Sequence, residues 1–244
     1  MRQRAGNARK DGHSKKPAPL VSGCPAAAEG ILRRFYEALL AHFGPQDWWP
    51  GETRFEIVVG AILTQNTAWS NVEKAIANLK RAGVLAVEAM EALPESDLAE
   101  LIRPSGYYRQ KAKKLKAFLS YLRRKHGGSL ERMFRTPTAQ LRLELLAIYG
   151  IGEETADSIL LYGGDHPIFV VDAYTRRILE RHRAAQPSWS YRQIQALFHS
   201  EIRPDAAVYN GFHALLVVTG KQHCWKRRPR CEGCPLEGFP HQKE

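Results

Sequence analysis

The chain has no apolar run near the ~20 residues that a membrane-spanning helix needs, which excludes that class of protein. Met1 to Lys16 is almost wholly polar and basic, so a secretory leader is not expected there. Cysteine is scarce, four in all, and three of the four fall between Cys224 and Cys234. That clustering argues against a secreted disulfide framework and for a metal-binding loop. Acid is in the minority: 25 Asp and Glu face 36 Lys and Arg, for a net charge of +11. A pI near 9.6 favours a polyanionic partner, most simply nucleic acid; a merely solvated basic surface is the bland alternative. These absences together suggest a protein of the cytoplasm, associated with the nucleoid. Internal repeats and alternating strand patterns are also missing. At 244 residues there is enough chain for one large domain or two small ones.

What is present is helical periodicity. Residues 1–28 hold Arg2, Arg4, Arg9, Lys10, Lys15 and Lys16 among Gly, Ser and Pro, and read as a disordered basic tail. Ile31, Leu32, Phe35, Tyr36, Leu39 and Leu40 then share one helix face, and Gly44-Pro45 stops it. Trp48-Trp49-Pro50-Gly51 puts two aromatics in a loop. Phe55–Leu63 reads as a buried helix leading into Thr64-Gln65-Asn66-Thr67-Ala68-Trp69. Val72, Ala75, Ile76 and Leu79 mark the next helix, with a short one over Leu98–Ile102. Gln110–Lys125 follows, with Lys111, Lys113, Lys114, Lys116, Arg123 and Arg124 expected on its outward face. Later helices are expected over Ala173–Arg181, with a basic exposed face, around Ile194 to Phe198, and from Val208 to Gly220. The fold class is all-α.

The stretch Leu145–Arg177 carries the chemistry. A helix ends at Tyr149, a tight Gly150-Ile151-Gly152 hairpin follows, and a second helix begins at once. Glycine suits a turn that needs positive φ, and unsatisfied N–H groups at a helix start favour an anion. Between helices, such a turn can also be only a connection. After the second helix, Ile168-Phe169-Val170-Val171 forms a short apolar run closed by Asp172. A carboxylate there needs a reason, because an unpaired one in an apolar setting is costly. It could cap the next helix, do chemistry, or both.

Four blocks in this order resemble the endonuclease III branch of the helix-hairpin-helix (HhH-GPD) DNA glycosylases: Leu63-Thr-Gln-Asn-Thr67, Gly150-Ile-Gly-Glu-Glu-Thr-Ala156, Phe169-Val-Val-Asp-Ala173 and the trailing cysteines. The resemblance runs from Ile31 onward. It implies a two-domain helical fold with a DNA-binding cleft between the domains. One domain is discontinuous, 29–54 with 166–244 and a cysteine loop at 221–241. The other is 55–165, with the helix-hairpin-helix at 141–162. It implies a monomer acting on double-stranded DNA that contains damaged bases, with the target nucleotide flipped out. Gly150, Ile151, Gly152 and Thr155 would meet DNA, and Asp172 would be the catalytic acid, stabilising an oxocarbenium-like sugar.

Two departures refine that expectation. Family members that also cleave the strand carry a lysine two residues after the second hairpin glycine, whose amine attacks the sugar. Here Glu154 stands there, which points to base hydrolysis without lyase activity. The family's iron–sulfur (4Fe-4S) loop has four cysteines; Cys224, Cys231 and Cys234 match three, and Pro240 holds the fourth position. His241 or Cys24 could complete a cluster, another metal such as zinc could bind, or the loop could have lost its metal. Trp48, Trp49, Trp69 and Gln65 are similar to the base pocket of the 3-methyladenine glycosylase III-type subgroup. Indole rings stack well on an electron-poor alkylated purine. Gln65 resembles the residue that fills the gap left by the flipped nucleotide. Tyr174 and His213 are further candidates to line that pocket. Alkylated purines are thus the expected lesion, with oxidised or mismatched pyrimidines as the alternative. A non-catalytic DNA-binding module is the reading from another class.

Overall fold

The computed structural model describes residues 30–46 and 51–242. The basic tail, Cys24, Trp48 and Trp49 lie outside the described residues. Within them the chain is helical, with no strand, as the periodicity predicts. The helices are α1 (Ile31–Phe43), α2 (Arg54–Leu63), α3 (Trp69–Arg81), α4 (Val87–Ala92), α5 (Glu95–Leu101) and α6 (Tyr108–His126). Then come α7 (Leu130–Phe134), α8 (Thr138–Leu146), α9 (Glu153–Ser158), α10 (Ala173–Arg181), α11 (Tyr191–Glu201) and α12 (Ala206–Gln222).

Local chemistry sets several of these boundaries. Thr53 Oγ1 accepts from the Glu56 N–H at 3.1 Å and starts α2. Ser190 and Gln193 form a reciprocal capping box on α11, and Asp205 accepts two N–H groups at the start of α12. Each such cap stabilises its helix by about 1 kcal/mol. α2 and α12 are apolar on nearly every face and sit at the centre, as their composition requires. α1 packs on α11 and α12, and α10 on α12, while α6 packs on α2, α4, α5 and α7.

Two expectations fail on α6. Lys111 is not on the outward face; it is 2 % exposed. Its Nζ donates to the carbonyls of Leu63 at 2.8 Å and Ser105 at 2.6 Å, closing the last turn of α2. Burial, with Lys114 nearby, lowers its pKa to about 8. Lys116 reaches back to the carbonyls of Met90, Glu91 and Leu93 and closes α4. Helix C-termini present carbonyls without intrahelical partners, and an ammonium satisfies several at once. The basic face expected on α10 is also largely spent inside the protein: Arg176 donates to the Trp189 carbonyl at 2.7 Å and Arg177 to that of Cys224 at 2.7 Å.

The helix after the hairpin departs too. α9 runs only to Ser158 and continues as a π turn over Ile159–Gly163, packed between α2 and α12. Such turns insert one extra residue and re-aim the side chains that follow.

The run Ile168–Val171 is neither helix nor strand, so its backbone groups must be satisfied otherwise. α11 supplies the partners from one face, at i, i+4 and i+8. Tyr191 Oη accepts from the Val171 N–H at 3.3 Å, Gln195 donates to the Phe169 carbonyl at 2.6 Å, and His199 Nε2 accepts from the Phe169 N–H at 3.1 Å. Phe169 is fully buried, stacked on Phe198. The segment is thereby held rigidly up to Asp172.

Candidate active site

Asp172 is the N-cap of α10: its Oδ1 accepts from the Thr175 N–H at 2.7 Å. The capping and chemical roles are therefore compatible, because the second oxygen is left to face elsewhere. Oδ2 lies 3.6 Å from Nε2 of His213 on α12, and the Asp172 side chain keeps 15 % exposure. Burial alone would raise its pKa. The imidazole of His213 and the Thr175 N–H outweigh that and hold it below the ordinary carboxylate value. His213 is in turn 2.6 Å from the Tyr162 hydroxyl through Nδ1.

Glu154, in the first turn of α9, faces the same carboxylate. Its side chain reaches solvent, yet protein surrounds the carboxyl on the remaining sides. Burial and the Asp172 charge raise its pKa to about 6, against an opposing pull from His213. Its neighbour Glu153 turns the other way, to Arg192 at 2.6 Å and Arg142 at 3.6 Å. The two acids at the hairpin thus point in different directions. Glu153 turns away from Asp172, and Glu154 turns toward it.

Among the hairpin residues, Gly150 takes φ +78° and lies against the aliphatic chain of Lys114, 2.5 Å from where a Cβ would sit. A side chain there would be both strained and obstructed. Gly152 starts α9, whose first intrahelical bond is the Ala156 N–H to the Gly152 carbonyl at 2.9 Å. Ile151 and Thr155 both turn their side chains into the protein. Ile151 is buried and its N–H is committed to the Ile148 carbonyl at 3.1 Å. Thr155 is buried and its hydroxyl accepts from Gln65 at 2.9 Å.

Gln65 stands beside the hairpin. Its Nε2 also donates to the Gly150 carbonyl at 3.1 Å, and its Oε1 accepts from Lys114. The preceding helix end is held by Lys111, and Asn66 just after it takes φ +53°, so the tip carrying Gln65 is a sharp, supported turn. Trp69 is half-buried and lines a cavity of about 190 Å³ with Gly51, Glu56, Gly60, Glu73 and Lys80. Asp172 is not in that lining, and the Trp48-Trp49 segment that precedes Gly51 is outside the described residues. Tyr174 sits under Gly220 with the Arg177 guanidinium over its ring.

Sequence reasoning passed over a buried ion pair that fastens this region. Arg142 on α8 grips Asp157 on α9 through two hydrogen bonds, at 2.6 and 3.0 Å, and Asp157 is fully buried. Gln195 donates to the same carboxylate at 2.7 Å and to the Phe169 carbonyl, tying the hairpin to the segment that ends at Asp172. The available signal was an Arg on the helix before the hairpin and an Asp on the helix after it.

The cysteine segment offers three thiols on one cavity wall with His182 and His241. His241 Nε2 is buried there without a hydrogen-bond partner, a fourth donor in principle. Yet among the described residues no three His, Cys, Asp or Glu groups converge on a metal ion, and Arg181 donates to the Cys224 sulfur at 2.8 Å. Pro240, in the family's fourth position, offers no side-chain ligand. The described donors therefore do not make up the four-thiolate set of an iron–sulfur cluster.

Comparison with known proteins agrees with this geometry. The provisionally named DNA repair glycosylase MJ1434 of Methanocaldococcus jannaschii is 44 % identical over 211 residues, covering 86 % of this chain and 95 % of that protein. Endonuclease III of Thermotoga maritima is 30 % identical over 186 residues, 75 % of this chain and 80 % of the relative. A crystal structure of H. pylori 3-methyladenine DNA glycosylase (MagIII) bound to 1,N6-ethenoadenine superposes with a TM-score of 0.71 at 30 % identity. That match covers 78 % of this chain and 97 % of the other. Residues 59–204 match the HhH-GPD superfamily base excision DNA repair protein family, and the chain belongs to that superfamily of DNA repair glycosylases.

Proposed function

We propose that the chain is a monofunctional DNA glycosylase that hydrolyses the N-glycosidic bond of alkylated purines such as 3-methyladenine. The observation that carries this reading is the Asp172 site: a carboxylate held ionised against burial, with a carboxyl, Glu154, where strand-cleaving relatives need an amine. An ionised acid beside the flipped nucleotide stabilises positive charge as the sugar loses its base. The glycosidic bond breaks, its electron pair leaves with the base, and water adds its oxygen to C1′. Without an amine no Schiff base forms, so the strand stays intact. Similarity to the H. pylori enzyme supports an alkylated purine as the base.

In this reading α1 with α10–α12 forms one half and α2–α9 the other, with DNA between them and Gln65 entering the duplex. Gly150 and Gly152 present backbone to a phosphate, and Trp69 stacks on the base with Trp48, a residue outside the described part of the chain, as its partner in the sandwich. Similarity to endonuclease III of T. maritima favours oxidised or mismatched pyrimidines as the second reading. The test is chromatography of bases freed from methylated DNA, from thymine-glycol DNA and from G·T and G·U duplexes. Release of 3-methyladenine in clear preference to the others is expected. Preference for a pyrimidine substrate would move the assignment to the second reading, and no release from any of them would favour a DNA-binding module.

A further inference from the structure

Asp172 needs two things that its own helix does not supply. Its second oxygen must be oriented, and its charge must persist with Glu154 facing it. The groups around it come from four elements. Thr175 belongs to α10 itself; Glu154 comes from α9, with the Tyr191 hydroxyl of α11 within its electrostatic reach. His213 comes from α12, and behind it stands Tyr162 from the π turn. Of these, the His213 imidazole and the Thr175 hydroxyl can both donate to the carboxylate, and His213 is the group that lies 3.6 Å from Oδ2.

We propose that Tyr162 and His213 are positioning residues for catalysis: the Tyr162 hydroxyl fixes His213 Nδ1 at 2.6 Å, so that Nε2–H is aimed at Asp172 Oδ2, 3.6 Å away. This deepens the proposed glycosylase reading and rests on it.

The proton inventory supports the assignment. An ionised carboxylate only accepts, so the nitrogen facing it must carry a proton. In a neutral imidazole Nδ1 is then the acceptor, and the tyrosine hydroxyl donates to it. In an imidazolium Nδ1 donates and the hydroxyl accepts. The hydroxyl serves both states, so the chain of contacts survives a change in charge. His213 and Tyr162 are both buried, at 5 % and 6 % exposure, which fixes the ring against rotation. The π turn gives this pair its geometry. Tyr162 lies within the Ile159–Gly163 π turn, which packs on α12 and brings its hydroxyl to His213. The 3.6 Å separation is an ion-pair distance, longer than a hydrogen bond, as catalytic contacts often are before substrate binds.

The test is the pH dependence of single-turnover base release from methylated DNA, with His213→Gln, Tyr162→Phe and Asp172→Asn, all in a Glu154→Gln background. That background removes the other titrating carboxyl near Asp172. DNA affinity is measured alongside. Loss of the donor should raise the acid limb of the profile by about one pH unit, a loss that approaches tenfold only at pH values below the unshifted limb and that vanishes toward neutral pH. Tyr162→Phe should move the limb the same way by less, with unchanged DNA affinity. It is nearly isosteric, so it decides the matter if His213→Gln fails to fold. An equal loss at all pH values with an unmoved limb in Tyr162→Phe would overturn the proposal and leave the Asp172 assignment standing. Full activity in Asp172→Asn would overturn both.

Discussion

The two ends of α10 are fastened in opposite ways. At its start, Asp172 is a cap, is held ionised, and stands at the end of a segment pinned by Tyr191, Gln195 and His199. At its end, Arg177 and Arg181 donate to the carbonyl and sulfur of Cys224, and His182 Nδ1 lies 3.2 Å from the Pro240 carbonyl. Acid at the N-terminus and base near the C-terminus both suit the helix dipole. The difference lies in what each end does with charge. The first keeps an ionised oxygen accessible, whereas the second spends its charges on holding a cysteine segment in place. Where the family's pattern leads one to expect a metal as the fastening, the described residues use arginine and histidine.

Three experiments would break or sharpen that contrast. The largest effect is expected at the buried pair behind the first end. Asp157→Ala leaves the Arg142 guanidinium without its partner and should cost about 3–5 kcal/mol, seen as a large fall in calorimetric Tm. A change under ~1 kcal/mol would mean that the hairpin is not anchored there.

The second end should respond to acid. His182 is 7 % exposed, and burial lowers its pKa to about 4 from an ordinary 6.5. The unfolded chain therefore binds a proton first as pH falls. Stability due to the neutral ring is fully present above ~6.5 and is lost as pH drops toward about 4, by about 3 kcal/mol at most. His166 and His199 are shifted the same way, so the comparison is with His182→Asn, whose stability should be flatter over that window. Identical urea-denaturation curves across pH for the two proteins would contradict this role.

The smallest effect concerns Glu154. Its ionisation near pH 6 adds a second negative charge beside Asp172, so DNA affinity should weaken a few-fold as pH rises through about 6. Glu154→Gln should bind with no such step. Fluorescence anisotropy at constant ionic strength measures both, and a step that persists in the variant would assign it to another group.

Much of the site was legible in the sequence because its parts are local. A Gly-x-Gly turn between helices, and an acid closing an apolar run, need only neighbours along the chain to be read. Lys111 and Lys116 were misread because a helix pattern ranks lysine as solvent-facing. Only the carbonyl ends of other helices, 48 and 23–26 residues away, turn their amines inward. The π turn leaves no mark in hydrophobic periodicity, so the pairing of Tyr162 with His213 could not be foreseen. The α11 stripe of Tyr191, Gln195 and His199 could have been: three polar residues at helical spacing flank Ile194 and Phe198 and call for a backbone to satisfy.

The most direct test of the account uses DNA containing 3-methyladenine, incubated with the protein in the presence of borohydride. Freed base, strand integrity and covalent adduct are measured together, for the wild-type chain and Asp172→Asn. Free methylated base, an intact strand and no adduct are expected for the wild type, and release about 10²–10⁴-fold slower for the variant at equal DNA affinity. A strong covalent adduct, or equal release by Asp172→Asn, would contradict it.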